Sequence, residues 1–116
     1  MDYINVVGNR LETKSFSKHF RGDIFMAKRI GDYIVVAVDE TDDDERWNNI
    51  WAYDLNGDLV WRIQDKEFFD GKSNEVPYVG FRQISDSEIV VTNFSGLSYK
   101  VSLVDGKIVG GAESTK

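Results

Sequence analysis

Residues 50–61 have the sequence IWAYDLNGDLVW, and this stretch decides the fold class. Its centre is the pair Asn56-Gly57, two residue types that accept the positive φ angles required by a tight hairpin turn. The flanking runs are rich in Trp, Tyr, Ile and Val, which favour strands. The stretch therefore predicts two antiparallel β-strands joined by a short turn.

The same pattern recurs along the chain. Two-residue turn signals separate short runs of β-branched and aromatic residues. The turn pairs are Gly8-Asn9, Gly31-Asp32, Asn56-Gly57, Asp86-Ser87, Ser95-Gly96 and Asp105-Gly106. The predicted strands are Ile24–Ile30, Tyr33–Asp39, Asn49–Asp54, Leu59–Gln64, Tyr78–Ile84, Glu88–Asn93, Leu97–Val104 and Lys107–Gly110, with a further hairpin joining Tyr3–Val7 to Arg10–Ser15. Only Asp65–Lys72 competes as a helix, and there we expect at most one turn. The predicted fold class is all-β.

Hydrophobic patterning predicts which strands lie in the centre of the fold. The runs Ile34–Val38 and Ile89–Val91 are apolar at every position, which is typical of strands buried on both faces. Alternation elsewhere predicts which side chains point inward. The inward sets are Leu59, Trp61 and Ile63 in one strand, and Leu97, Tyr99, Val101 and Leu103 in another.

The chain contains an internal repeat, which predicts two similar halves. Each half is expected to be a four-stranded antiparallel meander, over approximately residues 24–64 and 78–110 of a single all-β domain spanning 1–116. The only proline, Pro77, lies in the connection, where it removes no hydrogen bond from a strand ladder. The matched segments are Ile30–Val36 with Ile84–Val91, and Leu55–Val60 with Val104–Val109.

The stretch 50–61 resembles a blade of the quinoprotein-type β-propellers. In such blades the third strand ends at an Asp/Asn-Gly turn, and the fourth carries a Trp that packs against the neighbouring blade. Trp61 occupies that position here, whereas the second half has Gly110, and the resemblance covers roughly residues 24–110. Closed propellers need about four blades or more. The resemblance therefore implies a half-propeller-like arrangement or an open β-sandwich, or a ring completed by oligomerisation.

Composition and charge restrict the classes of function. The chain has 116 residues, with 14 Lys and Arg against 20 Asp and Glu, and a formal net charge of −6, so no nucleic-acid partner is expected. Cysteine is absent, which excludes disulfide scaffolds, thiolate zinc sites and thiol nucleophiles. No run approaches the ~18 apolar residues of a membrane helix, and residues 1–5 lack the pattern of a secretory signal. We therefore expect no membrane partner.

Catalytic and cofactor-binding residues are not indicated. His19 is the only histidine, and residues as close in one loop as Ser17, His19 and Asp23 seldom converge on a common atom. We interpret His19 as a surface side chain. The segment Asp54–Asp58 partly matches a calcium loop, but a hairpin turn flanked by Asp explains the same residues. We predict that the chain is not an enzyme, and we assign no cofactor and no metal site.

The sharpest local feature is an acidic run at residues 39–45, with six carboxylates in seven positions, followed by Arg46 and Trp47. Such like charges repel one another, so we expect a solvated loop between strands. Three interpretations remain open: a hairpin tip that promotes solubility, a divalent-cation site, or a docking surface for a basic protein. Calcium loops use a Gly that is missing here, whereas Trp beside a charged rim is a frequent interface anchor. The predicted partner-binding residues are Asp39, Glu40, Asp42, Asp43, Asp44, Glu45 and Trp47.

In size, acidity and its acidic run, the chain is similar to the immunity proteins of bacterial contact-dependent growth inhibition systems. Those proteins bind a toxic nuclease domain in the cytoplasm and block its active site. The resemblance implies a cognate toxin domain as a basic protein partner and a cytoplasmic location. From the predicted meanders we expect a monomer or small oligomer. The alternative is a carbohydrate-binding two-blade propeller module that closes by oligomerisation. An exposed aromatic face, such as one carrying Trp51 and Tyr53, would form a sugar- or protein-binding patch.

Overall fold

The computed structural model describes residues 4–39, 46–72 and 75–114, with side chains to residue 111. These ranges contain short strands and a single-turn helix. In chain order they are β1 (Ile4–Val7), β2 (Arg10–Thr13), β3 (Ser17–His19), β4 (Asp23–Ile30), β5 (Tyr33–Asp39), β6 (Ile50–Asp54), β7 (Leu59–Arg62), α1 (Glu67–Asp70), β8 (Tyr78–Gln83), β9 (Glu88–Asn93), β10 (Leu97–Ser102) and β11 (Ile108–Ser114).

The strands form three antiparallel sheets in which sequence neighbours pair. β1–β3 make a three-stranded N-terminal sheet, β4–β7 make the first meander, and β8–β11 make the second meander. The two four-stranded meanders confirm the predicted all-β class and its architecture. Over the ranges that the structure describes, no sheet closes into a barrel.

The first meander is the middle of three layers. In β5, Val35 and Ala37 contribute to the core shared with the second meander, whereas Ile34, Val36 and Val38 face the N-terminal sheet. All five side chains are buried, as expected for a strand with apolar residues at every position. The prediction of two buried faces is wrong for β9, since Ile89 and Val91 are buried but Val90 is only half-buried.

The aromatic residues of β6 do not form an exposed patch. Trp51 and Tyr53 are 9% and 6% exposed, because Phe20, which follows the last strand of the N-terminal sheet, packs on both rings with centroid distances of 6.3 and 5.9 Å. Ile50 and Ala52 are buried in the core between the meanders. Neither face of this strand is therefore open to a ligand.

Each edge strand of the two meanders contains a β-bulge. The strand pairings skip one residue in each of β4, β7 and β8 and also shift in β11, so that these positions are displaced from the ladder. Bulges on edge strands interrupt the template for pairing with another chain. Four of the residues skipped in this way are apolar and exposed, and they are Phe25, Val60, Val79 and Val109.

Because of the bulge in β7, one residue that was predicted to point inward is exposed. Trp61 and Ile63 point inward as predicted, but Leu59 lies beyond the bulge and is 57% exposed. In β10, Tyr99 and Val101 are buried as predicted, whereas Leu97 is 39% exposed at the start of the strand. Alternation fails at both positions because strand ends and bulges break the period of two.

An aromatic ring lies against one turn glycine of each meander. The Phe16 ring covers Gly57 of the first meander, where an added Cβ would lie 2.7 Å from the ring. The Trp61 ring covers Gly106 of the second meander in the same way, and its indole Nε1 donates a hydrogen bond of 2.6 Å to the Leu103 carbonyl. These contacts join the three sheets in series.

The connection between the meanders includes the single helical turn that the sequence predicts. Lys66 is buried just before α1, and its ammonium group donates to the Asp70 carboxylate at 2.7 Å. This hydrogen bond lowers the pKa of Asp70 below its usual value. The helix ends at Gly71, whose φ of 76° is left-handed.

Candidate functional site

The structure brings two of the predicted partner-binding residues together. Asp39 is the exposed last residue of β5, and Trp47 is half-buried in the segment that leads into β6. Both line one groove between the two meanders. The other predicted residues lie outside the described part of the chain, and they are Glu40, Asp42, Asp43, Asp44 and Glu45.

The groove has a volume of about 340 Å³ and lies between edge strand β4 of the first meander and edge strand β8 of the second. The described part of its lining is largely apolar, with one carboxylate and one guanidinium group. The described lining residues are Phe25, Val38, Asp39, Arg46, Trp47, Asn49, Pro77, Tyr78 and Val79.

Two β-bulges direct apolar side chains into this groove. Phe25 is the unpaired residue between the Ile24 and Met26 positions of β4, and it is 45% exposed. Val79 is the unpaired residue after Tyr78 in β8, and it is 44% exposed. Bulges next to binding sites commonly re-aim a side chain. Here the bulges of two facing strands supply apolar contacts to the same hollow.

Arg46 and Trp47 form a cation–π pair on the wall of the groove. The guanidinium carbon lies 4.4 Å from the ring centroid, within the ~6 Å range of this interaction. Asp39 lines the same groove. A large aromatic surface, a cation and a carboxylate are therefore close together at an accessible site.

Asn49 holds the two walls of the groove in place. Its side chain is 1% exposed and makes three hydrogen bonds. The amide nitrogen donates to the carbonyls of Tyr78 at 2.9 Å and Val38 at 3.3 Å, and the amide oxygen accepts from the Tyr78 N–H at 2.8 Å. One side chain thus connects β5 of the first meander to β8 of the second.

The sequence interpretation did not identify Phe25, Val79 or Asn49. Only Phe25 had a local signal in the sequence. Residues Ile24–Ala27 are apolar at every position, whereas an edge strand such as β4 is expected to alternate apolar and polar residues. Val79 stands next to the connection between the halves, and nothing local marks it. Asn49 looks like an ordinary polar residue before a strand, and its role depends on a contact 29 residues away.

Tyr78 carries a buried hydroxyl group without a hydrogen-bond partner among the described residues. Its side chain is fully buried between the meanders, and this burial raises the pKa of Tyr78 above its ordinary value of 10.0. The neutral form is therefore strongly favoured in the folded protein. An unpaired buried hydroxyl is a cost to stability rather than a gain.

We expect Tyr78→Phe to increase the free energy of unfolding by up to ~1 kcal/mol at pH 7, because it removes that unpaired group. The difference should widen above pH ~10, where the unfolded wild type loses the phenolic proton that the folded state retains. Wild-type stability therefore falls as pH rises through this range, and the variant loses less. Urea unfolding at pH 7 and pH 11 measures both effects. A variant clearly less stable than wild type at pH 7 would show that the hydroxyl has a stabilising partner.

The residues considered for catalysis or metal binding lie in ordinary structural settings. His19 is exposed in β3, where it pairs with Arg10 of β2. The Asp54 carboxylate accepts hydrogen bonds from the backbone N–H groups of Asn56 and Asp58, at 2.8 and 3.0 Å, and so shapes the hairpin turn. In the ranges that the structure covers, no three His, Asp or Glu side chains are grouped to hold a metal ion.

Comparison with known proteins identifies a family and no relative of known activity. A family model described as Domain of unknown function (DUF7957) matches residues 1–111. No curated protein and no solved structure matches the chain. Among the described residues, no helix has the length and apolar character needed to span a membrane.

Proposed function

The chain belongs to this family of domains, and from its groove we propose that it is a small acidic protein-binding module. More specifically, we propose an immunity protein that binds and neutralises a basic toxin domain of the nuclease class. The proposal places the chain in the cytoplasm, as a monomer or small oligomer, and assigns it no catalytic role.

The observation that carries this proposal is the convergence of exposed apolar side chains on one groove. Phe25 and Val79 are pushed out of their ladders by bulges, and Trp47 joins them on the wall. Aromatic and apolar side chains around a hollow are typical anchors at protein interfaces. Trp and Phe present a large contact area with few rotatable bonds, so their ordering costs little entropy on binding.

Charge supports a basic partner for this groove. Asp39 lines the groove and is also the first residue of the acidic run at 39–45. A net charge of −6 and a local cluster of carboxylates attract a cationic surface and accelerate encounter. Phosphate-binding sites of nucleases are cationic, so clustered carboxylates on an inhibitor complement them.

The test is a binding titration against the toxin domain encoded beside the gene for this protein. Replacing Asp42, Asp43 and Asp44 together by Asn should weaken binding by about tenfold or more at low salt, mostly through slower association. The loss should shrink at high salt, because exposed charges are screened over ~8 Å at physiological ionic strength. Association and dissociation rates at two salt concentrations measure this.

A matched control separates the acidic run from net charge. Asp32, Asp58 and Asp86 are exposed turn residues that do not line the groove. Asp32 and Asp58 lie at the end of the first meander opposite to Asp39, and Asp86 lies in the second meander. Their joint replacement by Asn removes the same number of charges and should change binding by less than about threefold. Equal effects of the two triple variants, or no binding by wild type, would contradict the proposal.

A further inference from the structure

In the groove, the aromatic ring of Trp47 is already in contact with a cation of the same chain, Arg46. Among the described residues that line the groove, Arg46 is the only cationic one. Its guanidinium group lies over the face of Trp47, and that ring is only half-buried. An accessible aromatic ring with a guanidinium group on its face is the arrangement expected of a site that recognises arginine.

A second cation–π pair in the molecule differs from the Arg46–Trp47 pair in the burial of its ring and in the hydrogen bonding of its arginine. Arg62 lies over Trp51 at the same distance, 4.4 Å. There the ring is 9% exposed, and the Arg62 Nε donates to the Asn48 carbonyl at 2.7 Å. Arg62 is therefore anchored by a backbone hydrogen bond over a buried residue, whereas the Arg46 pair lies on the wall of an accessible groove.

Resting on the proposed function, we propose that the groove binds an arginine side chain of the basic partner, which stacks on Trp47 in place of Arg46. The incoming guanidinium group makes the cation–π contact that Arg46 makes in the free protein. Asp39 provides a nearby carboxylate, and Phe25 and Val79 provide apolar contacts for the aliphatic part of the side chain. Arg46 is then an internal competitor that holds Trp47 in the binding orientation until a partner displaces it.

Arginine fits this groove better than lysine for two physical reasons. A guanidinium group is planar and weakly hydrated, so it stacks on an aromatic face and loses little solvation in an apolar hollow. A lysine ammonium group is compact and strongly hydrated, and it gains less from such a site. The groove should therefore distinguish two peptides of equal charge.

The experiment measures binding of hexa-arginine and hexa-lysine peptides to the full chain. Arg46→Gln should strengthen hexa-arginine binding by about two- to fivefold, since it removes a competing cation–π contact. Lys100→Gln is the matched control, because Lys100 is exposed on β10, outside the groove lining, and its loss changes net charge equally. The control should change binding by less than about 1.5-fold. The gain from Arg46→Gln should be smaller with hexa-lysine.

A double substitution tests whether the gain depends on the ring. In a Trp47→Leu background, Arg46→Gln should no longer increase affinity beyond the effect of Lys100→Gln. Without any substitution, the indole N–H resonance of Trp47 should shift on addition of hexa-arginine, while those of buried Trp51 and Trp61 remain in place. The shift experiment keeps the proposal testable if Trp47→Leu impairs folding.

The outcomes separate this inference from the proposed function. If Arg46→Gln and Lys100→Gln have equal effects, or if the gain persists without Trp47, the arginine site is wrong. The binding module remains supported in that case, provided that the toxin domain binds through the acidic run. If neither the toxin domain nor either peptide binds, both proposals are overturned.

Discussion

Asn49→Ala is expected to lower the free energy of unfolding by about 3–5 kcal/mol, because buried polar groups that lose their partner cost ~1–3 kcal/mol each. The substitution removes all three side-chain hydrogen bonds of Asn49. It leaves the N–H and the carbonyl of Tyr78 without the groups that satisfy them, at a position that is fully buried. Urea unfolding followed by tryptophan fluorescence measures the loss.

Asn48→Ala is the matched control for this prediction. Asn48 is also buried, at 4% exposed, but its side chain makes one long hydrogen bond of 3.4 Å to Asp65. We expect that control to cost about 1 kcal/mol. If Asn49→Ala were no more destabilising than Asn48→Ala, the connection between β5 and β8 would not depend on this side chain.

Gly106→Ala is expected to cost about 2–4 kcal/mol, since a left-handed φ costs an ordinary residue ~1–2 kcal/mol and the added methyl also meets a ring. The φ of Gly106 is 73°, and its Cβ would lie 2.6 Å from Trp61. The ring must move, and the hydrogen bond from its Nε1 to the Leu103 carbonyl is then strained or lost. Thermal and urea unfolding measure the change.

Gly71→Ala isolates the backbone contribution. Gly71 has a φ of 76°, close to that of Gly106, but a Cβ there would meet nothing within 4 Å. The control should cost only the backbone share, about 1–2 kcal/mol. Equal losses in the two variants would mean that the Trp61 contact with Gly106 contributes nothing measurable.

Much of the fold was predictable because it depends on local patterns. Turn pairs such as Asn56-Gly57 bound the strands, and the uninterrupted apolar run of β5 identifies the central strand. β3 was not predicted, since Ser17–His19 is short and polar and is held by backbone pairing with β2. Leu59 was assigned to the wrong face because a bulge leaves no mark in the alternation of side chains.

The candidate site was less predictable because it is formed between the two meanders. Asp39 and Trp47 stand out through charge and residue type, and the structure places both in the groove. Phe25 and Val79 reach the same groove from strands far apart in sequence. Their convergence depends on how the two meanders pack, and no local pattern of residues encodes that packing.

The contact between a ring and a turn glycine bears on how copies of this chain can associate. Such a contact is heterologous, because the aromatic ring of one sheet packs on a turn glycine of the next sheet, which serves as its socket. Repetition of the contact between chains would build an open-ended stack. Both sockets are already filled within the chain, Gly57 by Phe16 and Gly106 by Trp61. In the second meander the position matching Trp61 is Gly110, which offers no ring and lies under the Lys100 side chain. The second meander therefore offers no ring at position 110 to a further unit, and Gly57 of the first meander is already covered by Phe16, so this contact does not extend from one chain to the next.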